Sequence, residues 1–195
     1  LAIRRDWPRL VAALLEAGVD PEARDARGAT PLLTACALGQ EDIVRRLIAH
    51  GAQPGARAAD GQTALGLALS SGRREIARWL DWSYWPLPRR ALRDADLPAA
   101  AQLGDHPAVL RLIELGLHLD ALDAQGCSAL LRASGGGQTA LVDDLLARGA
   151  NPALAARSGA TCLSAALSRG HDAVVLSLLA RGADPNQSLP NGVTP

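Results

Sequence analysis

The chain has 195 residues, 48% of them apolar, and its 20 basic residues balance 20 acidic ones to a formal net charge of zero. A neutral chain lacks the basic excess that neutralises phosphates in nucleic-acid binders, no apolar run reaches the eighteen residues of a membrane span, and the N-terminus does not read as a signal peptide. The 3 cysteines, Cys36, Cys127 and Cys162, are odd in number and lack Cys-x-x-Cys spacing, so no disulfide framework, metal site or other cofactor is expected and a reducing cytosol fits best.

Leu1 to Asp6 read as the end of a truncated first helix, Asp6-Trp7-Pro8 as a turn, and Leu10, Val11, Leu14 and Leu15 as the apolar stripe of a second helix closed by Gly18. The next stretch is the clearest. Thr30 can accept from exposed backbone N–H groups at a helix start, and Pro31 takes the first helical position, where its missing N–H costs nothing. Gly39 ends that helix, Glu41 and Asp42 bring negative charge to the start of another, and Ile43, Val44, Leu47 and Ile48 form its stripe before Gly51 closes it.

The plan recurs from Asp60-Gly61-Gln62-Thr63-Ala64-Leu65 through Gly72, Ile76 and Leu80. It then breaks at Trp79-Leu80-Asp81-Trp82-Ser83-Tyr84-Trp85-Pro86-Leu87-Pro88, where the prolines exclude a regular helix. The rings read either as filling an irregular junction or as an exposed patch with Trp82 and Trp85 as interface anchors. A weaker unit follows, in which Ala95-Asp96-Leu97-Pro98 replaces the usual opening and Arg93 the turn glycine, while Gly104, Val109, Leu112 and Ile113 keep step. Asp123 to Leu130 open a unit whose first helix runs into Ser134-Gly135-Gly136-Gly137. Each helical glycine costs about 1 kcal/mol relative to alanine, so that helix is expected to fray early. Residues 156–188 form a last full unit, and Thr194-Pro195 opens another.

The glycines that end the first helices, Gly39, Gly72, Gly104, Gly137 and Gly170, advance in near-equal steps. The turn glycines Gly28 and Gly61, Gly126 and Gly159, and Gly159 and Gly192 keep the same interval, one repeat of about 33 residues. Helices shorter than roughly 12 to 15 residues are marginal alone, so these must stack. A turn and two helices on this period resemble the ankyrin repeat. Thr30-Pro31-Leu32, Thr63 with Leu65, Thr161 with Leu163, and Thr194-Pro195 match that family's Thr-Pro-Leu-His opening. Gly149-Ala150-Asn151-Pro152 and Gly182-Ala183-Asp184-Pro185-Asn186 match its return loop, and Gly170-His171 its inter-helix turn. The family's histidine is replaced throughout, by Leu33, Gly66, Pro98, Leu131 and Ser164, so its hydrogen bonds must be absent or replaced. The resemblance implies an all-α solenoid of helix-turn-helix units joined by short β-hairpin-like turns. It implies one domain over 1–195, with repeats at about 1–23 (partial), 24–56, 57–89, 90–121, 122–154 and 155–187, and the start of a further one at 188–195.

Little in the chain reads as chemistry. Ser134 to Thr139 is the one phosphate-cradle-like stretch, and it lacks the lysine a P-loop needs. His50, His106, His118 and His171 sit in or beside turns without metal-ligand spacing, and Asp143-Asp144 reads as a solvated helix start. No enzyme is expected. The resemblance implies instead a protein-binding module that engages a partner through its concave face of turns and first helices, at Arg27, Asp60, Gln62, Gln125, Arg157, Ser158 and Arg169. Arg24, Arg57 and Arg90 share the 33-residue interval and lean that face positive, which points to a monomer with an acidic-surfaced protein partner. No nucleic acid, and no membrane in this segment, is expected. The alternative is a structural or regulatory array contacting other domains of its own longer chain. Every basic residue is arginine, as in a GC-rich bacterial genome; a protein delivered into a host cell and selected to lack lysine is the other reading.

Overall fold

Four of the helices begin where a hydroxyl meets an unpaired backbone N–H. In the computed structural model, which describes residues 2–82 and 84–187, a 3-10 turn at Ile3–Arg5 precedes α1 (Pro8–Glu16), α2 (Pro31–Leu38), α3 (Glu41–Ala49), α4 (Ala64–Ser70) and α5 (Arg74–Arg78). Then follow α6 (Asp96–Gln102), α7 (His106–Glu114), α8 (Ala129–Gly135), α9 (Thr139–Ala147), α10 (Cys162–Leu167) and α11 (Asp172–Ala180). Thr30, Thr63, Ser128 and Thr161 accept from the N–H groups of Leu33, Gly66, Leu131 and Ser164 at 3.1 to 3.3 Å and so open α2, α4, α8 and α10. At α10, where the family has histidine, Ser164 also accepts from the Thr161 N–H and completes a capping box. Helix α6 has no such cap; instead the Asp96 carboxylate accepts from the Arg93 N–H at 2.7 Å, the irregular start expected there. Gly192 and Thr194-Pro195 lie outside the described residues.

The chain divides into two compact units, residues 1–92 and 93–195. In the first, α2 packs on α3 and α4, and α3 on α1 and α5; Ile43, Val44, Leu47 and Ile48 are buried as a stripe. Residues after α5 fold back on the second repeat: the Leu92 N–H donates to the Ala49 carbonyl at 2.8 Å, and Gln53 Nε2 to the Pro88 carbonyl at 3.3 Å. Gly51 makes room for this. Its φ is +94°, and a Cβ there would lie 2.6 Å from the Arg90 backbone.

In the second unit α8 packs between α6 and α10, α9 packs on α8 and α11, and Val109, Leu112, Leu141, Val142, Leu145, Val174 and Leu178 form the second-helix stripes. Contrary to the expected early fraying, α8 runs through Gly135. The reason lies one repeat later: the Gly135 carbonyl accepts from Arg169 Nη1 at 2.7 Å and has His171 Nε2 at 3.2 Å.

That contact is one of a series. In three repeats the residue before the second helix reaches back to the preceding repeat: Gln40 Nε2 donates to the Ile3 carbonyl at 2.7 Å, Gln138 Nε2 to the Ala101 carbonyl at 2.9 Å, and His171 lies against Gly135 and Gly137. The Arg73 guanidinium lies over Gly39 in the same register. Forward links run from the first residue of a second helix, where Glu41 Oε1 accepts from Trp79 Nε1 at 3.0 Å and His106 Nε2 meets Asp144 Oδ2 at 2.7 Å.

Candidate protein-binding face

The turns that precede the first helices are four small hairpins in one register. Their closing bonds run from the N–H groups of Asp25, Ala58, Asp123 and Ala156 to the carbonyls of Ala29, Gln62, Cys127 and Ala160. Carboxylates brace three of them from within, and the Ser158 hydroxyl the fourth. Asp25 Oδ1 accepts from the N–H groups of Ala29 and Arg27, which, ahead of the opposing desolvation and with help from Arg4, hold its carboxyl below the usual value. Asp123 Oδ1 does the same for Gln125 and Cys127, and its other oxygen accepts from Arg132 Nε at 2.9 Å. Arg132 also donates to Gln125 Oε1 at 2.9 Å.

Arg27, Asp60, Gln125 and Ser158 occupy equivalent tips of these turns. The tips are coupled through the main chain, Ala59 N–H to Arg27 carbonyl at 3.4 Å and Arg157 N–H to Gln125 carbonyl at 2.9 Å. Arg24 Nη1 donates to the carbonyls of Gly28 and Arg57, each at 2.7 Å, and so ties two turns together. Within each unit a coupled pair of tips results, on which the side chains differ while the backbone bonding does not.

In the first unit the tips overhang a hollow of about 580 Å³. Leu33, Ala37, Leu38 and Leu67 form its apolar floor, and Arg4, Asp25, Arg27, Asp60 and Gln62 its polar rim. Three residues expected at a binding face, Arg27, Asp60 and Gln62, thus meet in one place. Arg57 is exposed beside them, in an isolated antiparallel bridge with Thr63. In the second unit Gln125, Arg157 and Ser158 are neighbours through the turn bonds, and Arg169 is exposed while bonded to Gly135. The two tryptophans stand apart from the hollow. Trp85 is only 5% exposed and offers a partner little of its ring; Trp82 is half-buried, donates from Nε1 to the Trp79 carbonyl at 2.7 Å and stacks obliquely on Trp85. Trp79 is fully buried, with Arg45 and Arg78 over its ring at 4.8 and 4.9 Å.

Sequence reasoning missed Arg4 and Asp25 on the rim, which lie 3.9 Å apart, and the leucine floor. Asp25 and Asp123 share a register and were legible as a pair; Arg4, from the truncated repeat, carried no signal. Burial pushes the Cys36 and Cys162 thiols up to about 12, so neither is a nucleophile at neutral pH. Among the described residues no group of three or more His, Cys, Asp or Glu is placed to hold a metal ion, and no helix is long and apolar enough to cross a membrane.

Comparison with known proteins bears on this face. The sequence profile of the ankyrin repeats, in three copies, matches residues 1–81 and 97–188, leaving out the segment where the period breaks. A 39-residue stretch is 56% identical to NF-kappa-B inhibitor alpha of Sus scrofa, a match covering 20% of this chain and 12% of that protein. The crystal structure of the ankyrin repeat domain of Bcl-3, described as a unique member of the IkappaB protein family, superimposes with a TM-score of 0.53 at 27% identity, covering 99% of this chain and 89% of that one.

Proposed function

This chain belongs to the ankyrin repeat family, and from that premise we propose that it is a non-catalytic module that binds a partner protein through its turn tips and first helices. The observation that carries the reading is the hollow of the first unit, where an apolar leucine floor lies beneath a charged rim. An apolar centre within a polar border is the anatomy of a protein-protein contact. A relative named as an inhibitor of another protein fits a chain that acts by occupying a surface rather than by chemistry.

The finer proposal concerns charge. The Asp25 carboxylate is taken up by two backbone N–H groups and by Arg4, with a smaller pull from Arg27, while Arg27 and Arg57 are both exposed. A partner that presents carboxylates to these arginines gains mainly in association rate. Affinity capture with the intact chain tests both levels. Leu38→Asp, at the edge of the floor, is expected to abolish capture of the specific partner while far-UV circular dichroism stays unchanged. Arg27→Glu with Arg57→Glu is expected to slow association and to remove its salt dependence. Capture indifferent to Leu38→Asp would overturn the face itself; capture lost with Leu38→Asp but insensitive to salt and to the arginine reversal would overturn only the acidic partner.

A further inference from the structure

The segment after α5, where the period breaks, folds back on two earlier loops and closes a second hollow within the first unit. Its volume is about 370 Å³, and Glu22, Arg24, Gln53, Gly55, Ala56 and Arg89 line it. Gln53 joins its two walls. The Gln53 N–H donates to Glu22 Oε1 at 2.8 Å on one side, and Gln53 Nε2 to the Pro88 carbonyl at 3.3 Å on the other. Arg89 is thus placed from both neighbours, since the Arg90 backbone lies against Gly51. None of the six lining residues borders the hollow beneath the tips. Arg89 also lies outside the stretches that match the repeat profile, so this pocket is a feature of the chain rather than of the repeat.

The charges in this pocket do not cancel. Arg24 commits Nη1 to the Gly28 and Arg57 carbonyls, while its Nε and Nη2 make no hydrogen bond to the described residues. Arg89 is exposed and has neither a hydrogen bond nor an ion pair among them. Glu22 pairs with neither arginine: one carboxylate oxygen takes the Gln53 N–H and the other has no donor among the described residues. Two guanidiniums against one carboxylate leave a net positive charge. We propose that the pocket binds a small hydroxylated phosphomonoester, its phosphate against Arg24 and Arg89 and a hydroxyl donating to the second Glu22 oxygen. A guanidinium offers its N–H groups as a planar fork that fits phosphate oxygens, and two cations on one pocket favour a dianion over a single carboxylate. The volume is that of a small-molecule site and exceeds a bare phosphate. Apart from Gly55 and Ala56 the lining side chains are polar. No aromatic ring or long aliphatic chain is there to hold a base or an acyl tail, which favours a polyol phosphate over a nucleotide or a lipid.

Amide NMR titration of the intact chain at low ionic strength, with glycerol 3-phosphate and with inorganic phosphate as probes, is the test. Saturable shifts are expected at Gly55 and Ala56, with a dissociation constant of about 0.1 to 1 mM for glycerol 3-phosphate. Inorganic phosphate, lacking the hydroxyls, is expected to bind about two- to fivefold more weakly. Arg89→Ala is expected to weaken both probes at least about tenfold with unchanged far-UV circular dichroism. Glu22→Gln keeps an acceptor for the Gln53 N–H but removes the opposing charge, and is expected to tighten inorganic phosphate about two- to fivefold. Arg148→Ala, which removes an exposed arginine of the second unit, is expected to leave both probes unaffected. The site is overturned by an absence of saturable shifts up to about 10 mM, by Arg89→Ala binding as the wild type does, or by Arg148→Ala weakening binding equally. Inorganic phosphate binding as tightly as glycerol 3-phosphate would overturn the ester as its ligand.

Discussion

Gly137 has two independent reasons to be glycine. Its φ is +68°, and a Cβ would lie 2.7 Å from the His171 ring of the next repeat. Gly72 shares the φ of +68° but has nothing within 4 Å. Replacing each by alanine separates the two effects: Gly72→Ala is expected to cost about 1 to 2 kcal/mol, the price of the left-handed backbone, and Gly137→Ala more, because the ring must also move. Urea denaturation of the two variants measures the difference. Asp123 illustrates a second kind of constraint. Burial opposes its charge, but the Cys127 N–H, the Arg132 guanidinium and the Gln125 N–H outweigh it, so its carboxyl sits below the usual range. A folded pKa below the unfolded one means that the stabilisation is complete above the ordinary carboxylate pKa, about 3.9, and fades as pH falls through the depressed folded value. Asp123→Asn is therefore expected to lose about 1 to 3 kcal/mol at neutral pH. The gap to the wild type should narrow in denaturation curves recorded near pH 2.

At the scale of the helices, α5 is the shortest of the α-helices described, five residues long, and Trp79 holds it to α3 through the Glu41 bond and the flanking arginines. Trp79→Ala is expected to cost about 3 to 5 kcal/mol. Trp79→Phe, which keeps an aromatic ring and most of the bulk but loses the Nε1 donor, should cost less; equal losses would mean that the bond to Glu41 dominates. What the sequence made legible at this scale is what local residues determine. Thr30, Thr63, Ser128 and Thr161 cap helices because capping needs only the next three residues, and the stripe of α3 follows from helical spacing. What escaped depends on residues a repeat or more away. Nothing near Gly135 announces that Arg169 and His171 will hold its carbonyl, and nothing near Leu92 announces Ala49. The links at Gln40, Arg73, Gln138 and His171 were hidden by their chemistry: one register uses an amide, a guanidinium and an imidazole for related ends. The proposed binding face was half legible, since tip positions follow the period, whereas the hollow needs Arg4 from a degenerate repeat.

Across the whole molecule, stability in a stack is a sum over repeats and their nearest neighbours, and each of the two units has buried leucines and valines of its own. The tryptophans, Trp7, Trp79, Trp82 and Trp85, all lie in the first unit, so indole fluorescence reports that unit while the amide signal of α8 to α11 reports the other. Trp79→Ala is expected to speed hydrogen exchange in α3 to α5 and to leave exchange in α9 and α11 within about a factor of two, as falls to residues outside the affected cooperative segment. Uniform acceleration would show one cooperative block instead.

The backward reach of Gln40, Gln138 and His171 has a bearing on how such an array grows. The grip is on main-chain oxygen, which any residue supplies, and the gripping side chain travels with the later copy. A tandem duplication of one whole period therefore brings its own coupling and asks for no compensating change in the older sequence. A duplication out of phase would strand the amide or imidazole with nothing behind it. Length can evolve here in whole periods, one insertion at a time.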